Sequence, residues 1–162
     1  MLTKEDILSL LSEIPDPEIP VISIIELGVI RDIDIIDDTS ITLKITPTYS
    51  GCPAMKQIED DVRKKLTEKG FTTITINTTF SPPWTTDWIP AEAKEKLRQY
   101  GIAPPEESTE DKNWLTGKHS VVQCPRCKSK QTKLISQFGS TACKALYQCQ
   151  DCLEPFDYFK CI

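Results

Sequence analysis

Residues 46–66, TPTYSGCPAMKQIEDDVRKKL, contain a lone cysteine between two kinds of hydrophobic pattern. Before it, the chain alternates apolar and polar residues with the period of a β-strand; after it, apolar residues recur three and four positions apart, as on one face of a helix. Cys52 stands between Gly51 and Pro53, and proline is favoured at the first helical position. The stretch therefore predicts the end of a strand at Thr46, a sharp turn with Cys52 as the N-cap, and a helix that begins at Ala54.

The segments around this stretch predict a small two-layer α+β sandwich. A helix at the N-terminus, capped by Thr3 with Asp6 as its capping-box partner, precedes two alternating strands that suit an antiparallel hairpin. The order helix, strand, strand, helix, strand is typical of one sheet backed by helices. The predicted elements are a helix over Thr3–Ile14, strands over Val29–Ile36 and Ser40–Thr46, a helix over Ala54–Lys69, a strand over Phe71–Phe80 and a short closing helix over Pro90–Gly101.

Composition divides the chain into an acidic α+β domain (1–102, net charge −6), a polar linker (103–118, −2) and a basic, cysteine-rich tail (119–162, +3). The large acidic part argues against a nucleic-acid-binding protein. No apolar run approaches the roughly 20 residues of a membrane helix, and the N-terminus lacks the pattern of a secretory signal. We therefore expect a cytoplasmic protein.

The tail contains two Cys-x-x-Cys pairs, CPRC (Cys124, Cys127) and CQDC (Cys149, Cys152), separated by 21 residues. Four thiolates in two tight turns are typical of a closed tetrahedral zinc site, and a tail of this size has little core with which to fold alone. We expect a zinc ribbon. Two disulfides, four metal-free thiols, a rubredoxin-like iron site or an iron–sulfur cluster are the alternatives.

The residues after the two pairs, Lys128 and Leu153, occupy positions where glycine would adopt a left-handed turn more easily. The remaining tail cysteines, Cys143 and Cys161, are expected to be small buried hydrophobic residues, with a second metal or redox role as the alternative. His119 is the only histidine, and we expect it to face solvent.

Cys52 and the DPE motif are the candidate functional groups of the first domain. At a helix N-terminus the Cys52 thiol should have a pKa below its free value, so that a thiolate could attack, bind a soft metal or accept a cluster. The alternative is a cysteine that only caps the helix or packs beneath the loop. Asp16 and Glu18, held by Pro17, could bind a cation or position a partner, or could simply form a turn.

Several motifs together resemble a known family. DPEIP, ELGVI and TPTYSGCPAM, with FSPPWTTDWI and the tail GSTACKALYQCQDCLEPFDYFKCI, are similar to the metal–sulfur cluster biosynthesis family, and within it to the PaaD-like (PaaJ-like) subunits encoded with the phenylacetyl-CoA ring epoxidase. The resemblance implies a cluster-assembly-like α+β domain and a zinc-ribbon domain. It also implies that Cys52 is the metal or cluster contact, with Asp16 and Glu18 at the positions of the family's acids.

The resemblance implies a non-enzymatic factor that matures an iron–sulfur cluster for the epoxidase system in aerobic phenylacetate degradation. Its partners would be the reductase and oxygenase components, with the reductase as the client. A single cysteine cannot close a cluster site, so a homodimer, a partner or a small thiol must supply further ligands. One histidine cannot form a di-iron bundle with paired Glu-x-x-His motifs, which argues against an oxygenase subunit.

A non-catalytic adaptor is the alternative function. It would dock epoxidase components through the ribbon and through aromatic segments, without transfer of metal. Aromatic residues are frequent anchors at protein interfaces, but we favour packing in the core of a small domain for these residues. The candidates are Trp84, Trp88, Phe156, Tyr158 and Phe159.

Overall fold

The computed structural model describes residues 1–49, 51–104 and 122–159. The chain divides into two compact units, Met1–Trp84 and Thr85–Ile162. The predicted domain boundaries, after residues 102 and 118, stay a prediction. Most of the predicted linker, together with His119 and Cys161, lies outside the described residues.

The first unit has the predicted order of elements, and the α+β fold class is confirmed. Thr3 caps the first helix, and its hydroxyl and the Asp6 carboxylate form the predicted reciprocal capping box. The elements are α1 (Lys4–Leu11), β1 (Ile30–Ile35), β2 (Ser40–Ile45), α2 (Ala54–Glu68) and β3 (Thr73–Thr78). β1 is one residue shorter than predicted at each end, β2 one residue shorter at its C-terminal end, and β3 two residues shorter at each end, while α1 ends three residues before the predicted Ile14.

The sheet of the first unit has the order β1-β2-β3. The β1–β2 hairpin is antiparallel, as predicted, and β2 pairs with β3 in parallel from Ser40 opposite Thr73 to Ile45 opposite Thr78. A parallel pair requires a crossover connection, which α2 supplies. The carboxyl ends of β2 and β3 therefore lie at one edge of the sheet, where the loop that contains Cys52 begins.

The core of the first unit forms where alternating strand residues meet the apolar faces of the two helices. Ile41, Leu43 and Ile45 of β2 are buried, as the alternation predicts. Burial of such side chains stabilises the fold by about 1.5–3 kcal/mol each. The helices contribute Ile7 and Leu11 of α1, with Ile58, Val62 and Leu66 of α2.

The second unit contains α3 and a four-stranded sheet of order β4-β7-β6-β5. β5 and β6 form the antiparallel ribbon that the sequence predicts, β7 extends it, and β4 joins β7 in parallel. Sequence reasoning did not identify β4 or β7. The elements are a 3₁₀ turn over Thr86–Trp88, α3 (Ala91–Tyr100), β4 (Ile102–Ala103), β5 (Thr132–Ser136), β6 (Lys144–Cys149) and β7 (Pro155–Phe159).

Most of the aromatic residues considered as docking anchors are core residues. Trp84 is buried and donates its indole N–H to the Leu27 carbonyl oxygen at 2.8 Å. Phe156 and Phe159 are buried as well, and Tyr158 packs edge-on against Tyr147 with ring centroids 5.6 Å apart. The three buried rings therefore cannot anchor an adaptor in the folded units. Within the described residues, no helix has the length and apolar character needed to cross a membrane.

Candidate functional site

The four cysteines of the two Cys-x-x-Cys pairs converge in the second unit. Cys124 and Cys127 lie in a turn before β5, Cys149 ends β6, and Cys152 lies in the turn before β7. The four sulfurs all lie within 4.8 Å of one another. Hydrogen bonding of the β5–β6–β7 sheet thus brings the second pair to the first, over the 21 residues that separate them.

The distances between the sulfur atoms fit tetrahedral coordination of a metal ion and are too long for disulfide bonds. Cys124 Sγ lies 3.7 Å from Cys152 Sγ, and Cys127 Sγ lies 3.5 Å from Cys149 Sγ. A disulfide requires about 2.05 Å, whereas four thiolates at about 2.3 Å from zinc are about 3.8 Å apart. Cys124 and Cys149 are buried, Cys152 is half-buried and Cys127 is exposed. The residues present therefore suit a closed four-thiolate metal site that reaches the surface at Cys127.

Backbone geometry of the two turns agrees with a metal site. Among the described residues other than glycine, positive φ occurs at Lys128 and Leu153, each at 63°. These are the residues that follow the two pairs, and both adopt the left-handed conformation although glycine would adopt it more easily. The Cys152 N–H donates to Cys149 Sγ at 3.5 Å, and this bond is the main cause that lowers the pKa of Cys149 to about 7. Such a thiolate is readily available to a metal.

Two polar contacts link the turns in a pseudo-twofold pattern. Arg126, the third residue of the first turn, pairs with Glu154, the sixth residue of the second, at 2.6 Å. Asp151, the third residue of the second turn, accepts a hydrogen bond from Ser129, the sixth residue of the first. Exposed ion pairs of this kind contribute little stability, but both contacts connect one turn to the other.

Cys52 lies in the loop between β2 and α2 and is half-buried. Its N–H donates to the Tyr49 carbonyl oxygen at 3.3 Å, and Gly51 has a φ of 79°. The prediction that Cys52 is the N-cap is wrong by one residue: the N-cap is Pro53, which makes no side-chain capping bond. The sulfur nevertheless lies close enough to the helix to accept from the Ala54 N–H.

The expected direction of the pKa shift of Cys52 is also wrong. Burial of the thiol raises its pKa above the ordinary value of 9.0, and the negative charge of Glu18 raises it further. The N–H of Ala54 and the hydroxyls of Tyr49 and Thr48 act in the opposite direction without offsetting these effects. At neutral pH the side chain is therefore a protonated thiol, because desolvation of a thiolate outweighs the field of the helix terminus.

The structure separates the two acids of the DPE motif. Asp16 is buried, and its Oδ1 accepts the N–H groups of Glu18 at 2.9 Å and Ile19 at 2.8 Å. This carboxylate closes the turn, as the structural alternative predicted. Glu18 is half-buried, and its charge acts on the Cys52 thiol. The fold therefore brings Glu18, more than Asp16, into electrostatic contact with the cysteine.

Thr46, the residue that follows β2, was not identified from the sequence. It is 1% exposed, and its N–H donates to the Val29 carbonyl oxygen at 2.9 Å. Its hydroxyl is buried and has no hydrogen-bond partner in the described part of the chain. Buried hydroxyls are usually paired, and no local sequence pattern signals this exception. Cys143, in the second unit, is buried as expected, with its Sγ 3.0 Å from Thr141 Oγ1.

Comparisons with known proteins agree with both halves of this description. Residues 4–76 match the model of the family described as iron-sulfur cluster assembly protein, and residues 108–160 match the PaaD zinc beta ribbon domain. A protein of Escherichia coli K12, named as a putative subunit of 1,2-phenylacetyl-CoA epoxidase, is 48% identical over 97% of this chain and 92% of its own length. The chain belongs to this family of iron-sulfur cluster assembly proteins with a PaaD zinc ribbon.

Shorter relatives match a little over half of the chain. The "Fe-S protein maturation auxiliary factor" of Porphyromonas gingivalis is 40% identical over 59% of this chain and 90% of its own length. A crystal structure of a domain of unknown function from Bacillus anthracis superposes with a TM-score of 0.54 at 28% identity, over 58% of this chain and 90% of that one. The assembly-family match includes Asp16, Glu18 and Cys52, and the ribbon match includes all four convergent cysteines.

Glycine at the two left-handed positions should stabilise the ribbon. A left-handed conformation costs a residue with a side chain about 1–2 kcal/mol, and glycine loses about 0.5–1 kcal/mol through its greater freedom in the unfolded chain. We expect Lys128→Gly and Leu153→Gly each to raise the free energy of unfolding by up to about 1 kcal/mol. Thermal denaturation with saturating zinc measures the change. Lys130→Gly, at an exposed position without positive φ, is the control and should be destabilising.

The pH dependence of Cys52 alkylation tests its electrostatic environment. Because the folded pKa is raised, the thiolate forms only as the pH passes above the ordinary value of 9.0. Peptide-resolved iodoacetamide labelling should show this late onset, and Glu18→Gln should shift it to lower pH. Asp38→Asn, an exposed carboxylate at the β1–β2 turn, should leave the profile unchanged. Labelling that is complete at neutral pH would contradict the assignment.

Proposed function

We propose that the protein is a non-enzymatic maturation factor that carries iron or an iron–sulfur cluster on Cys52 to the phenylacetyl-CoA epoxidase system. The client is the reductase component, and the setting is aerobic phenylacetate degradation in the cytoplasm. The observation that carries the proposal is a half-buried thiol beside the charge of Glu18, on the fold of an iron–sulfur cluster assembly family. The names of the relatives from E. coli and P. gingivalis support the pathway and the role.

The electrostatic environment of Cys52 suits a site that binds and releases a cationic iron species. The charge of Glu18 disfavours a free thiolate at Cys52, and the same charge favours a cation at that place. Binding of a cationic iron species therefore replaces the thiol proton, and release of the cargo lets the proton return. Since one thiolate supplies one of the usual four cluster ligands, the remaining ligands come from the client, a second copy or a small thiol.

The ribbon has a different role in this proposal. Cys124, Cys127, Cys149 and Cys152 hold a structural zinc ion, which joins the two turns and stabilises a sheet with a small core. Among the described residues, the hydrophobic cluster that includes Cys124 and Cys149 also contains Val122, Tyr147 and Phe156. The zinc supplies no chemistry to the transfer: its four positions are filled by thiolates, which leaves no open coordination site.

Metal content distinguishes the two sulfur sites. Zinc-supplemented wild-type protein should contain one zinc ion per chain, and Cys52→Ala should retain it. Cys149→Ser, which removes a buried ligand, should lose the ion and the ordered ribbon, as followed by elemental analysis and by circular dichroism. Loss of the zinc in Cys52→Ala would contradict the division of roles.

Cluster transfer tests the function itself. Protein reconstituted anaerobically with iron and sulfide should activate the purified apo-reductase component faster than the same amounts of free iron and sulfide do. Cys52→Ala should reduce the rate to that of free iron and sulfide, whereas Cys143→Ala, which alters a buried thiol in the other unit, should retain transfer. Equal rates for wild type and Cys52→Ala would exclude Cys52 as the carrier.

A further inference from the structure

Phe80 is an aromatic residue that the fold leaves in solvent. Its side chain is 59% exposed, although it directly follows β3 in a unit where Phe71 and Trp84 are buried. The residues on either side of it are hydrogen-bonded to each other: Thr79 Oγ1 donates to the Ser81 carbonyl oxygen at 3.2 Å and accepts from the Ser81 N–H at 3.3 Å. The ring is thus placed at the tip of a defined turn.

The segment that contains Phe80 is tied to the sheet at both ends. The Thr79 N–H donates to the Ile45 carbonyl oxygen at 2.8 Å, which continues the β2–β3 ladder past the last paired residues. At the other end, Trp84 is buried and its indole N–H bonds to the Leu27 carbonyl oxygen. Exposure of Phe80 is therefore a consequence of how this segment is held.

Phe80 lies at the same edge of the sheet as Cys52. β2 and β3 are parallel, so the loop after β2, with Cys52, and the turn after β3, with Phe80, leave from one edge. Other apolar residues of these two connections are also accessible: Pro53 and Pro82 are exposed, and Met55 is half-buried. The edge thus combines a half-buried thiol with accessible apolar side chains, and phenylalanine and methionine are both enriched at protein interfaces.

We propose that Phe80 is a docking contact for the protein that receives iron or a cluster from Cys52. This inference rests on the proposed function. Transfer from a single thiolate requires ligands of the client to reach the sulfur, so the two proteins must meet at this edge. An exposed ring on a hydrogen-bonded turn loses little conformational entropy on binding, which makes it a suitable anchor.

Charge favours a client with a basic face over a second copy of this chain. Residues 1–84 contain 8 Lys and Arg and 14 Asp and Glu, a net charge of −6, and Glu18 acts directly on the Cys52 thiol. Two copies that meet through this unit would repel each other, whereas a partner with basic residues around its cluster ligands would be attracted. The occupant is therefore an apo-protein that surrounds its thiolate ligands with positive charge and apolar contacts.

Binding and transfer measured on the same variants test this inference. The probe is the purified apo-reductase component, with affinity measured by calorimetry and transfer measured by activation of the reductase. Phe80→Ser should weaken binding at least tenfold, as expected for an interface anchor, and should slow transfer at subsaturating concentration. Phe80→Tyr keeps the ring and should bind like wild type. Ile36→Ser, 67% exposed at the β1–β2 turn and thus at the opposite end of β2, is the matched control and should leave both quantities unchanged.

The outcomes separate the docking contact from the carrier role. Unchanged thermal stability and unchanged Cys52 alkylation in Phe80→Ser would show that only docking is lost. Cys52→Ala should bind the probe normally and fail in transfer. If Phe80→Ser binds like wild type, or if wild type does not bind the apo-reductase at all, the docking inference is overturned. If wild type binds but transfers no faster than free iron and sulfide, the maturation function fails while the docking contact stands.

Discussion

Six residue pairs join β2 to β3 in parallel, and this pairing is the constraint on which the N-terminal unit depends. Parallel strands need a crossover, so α2 must leave one end of β2 and return to the start of β3. The buried residues of its apolar face and those of the sheet, Leu43 among them, belong to the core of this unit. The same geometry places the Cys52 loop and the Phe80 turn at one edge, so the connectivity of three elements positions the candidate site.

Desolvation, more than the helix dipole, controls the chemistry of that site. A thiol at a helix N-terminus is expected to ionise easily, but half-burial and the charge of Glu18 reverse this in Cys52. The buried carboxylate of Asp16 shows the other way to accommodate charge in a small domain: two backbone N–H groups satisfy one of its oxygens. One acid of the DPE motif thus supports the loop, and the other modifies the thiol.

The second unit relies on a different constraint. Two residues of its described hydrophobic cluster, Cys124 and Cys149, are themselves candidate metal ligands. The left-handed conformation of Lys128 and Leu153 costs free energy in each turn. In the proposed zinc-bound form, ligation would offset this cost, because the two turns in the left-handed conformation are also the turns that bring the four sulfurs together.

The sequence by itself determined the features that depend on neighbouring residues. Periodicity predicted α1, α2 and the β1–β2 hairpin, Thr3 and Asp6 predicted the capping box, and Cys-x-x-Cys spacing predicted the convergent cysteines. The family could be recognised because several local motifs occur together in one order. These signals are local in the chain, and tertiary contacts reinforce them.

Tertiary structure alone decided the features that depend on distant groups. Residues far apart in the chain produce the pairing of β4 with β7 and the effect of Glu18 on the pKa of Cys52. Distant residues also decide that Phe156 is buried. A pKa depends on how much water the fold removes and which charge it brings near, and no pattern of spacing encodes either quantity. The exposure of Phe80 has the same origin: the sequence FTTITINTTF predicts a strand, and only the packed sheet shows which of its aromatic ends remains in water.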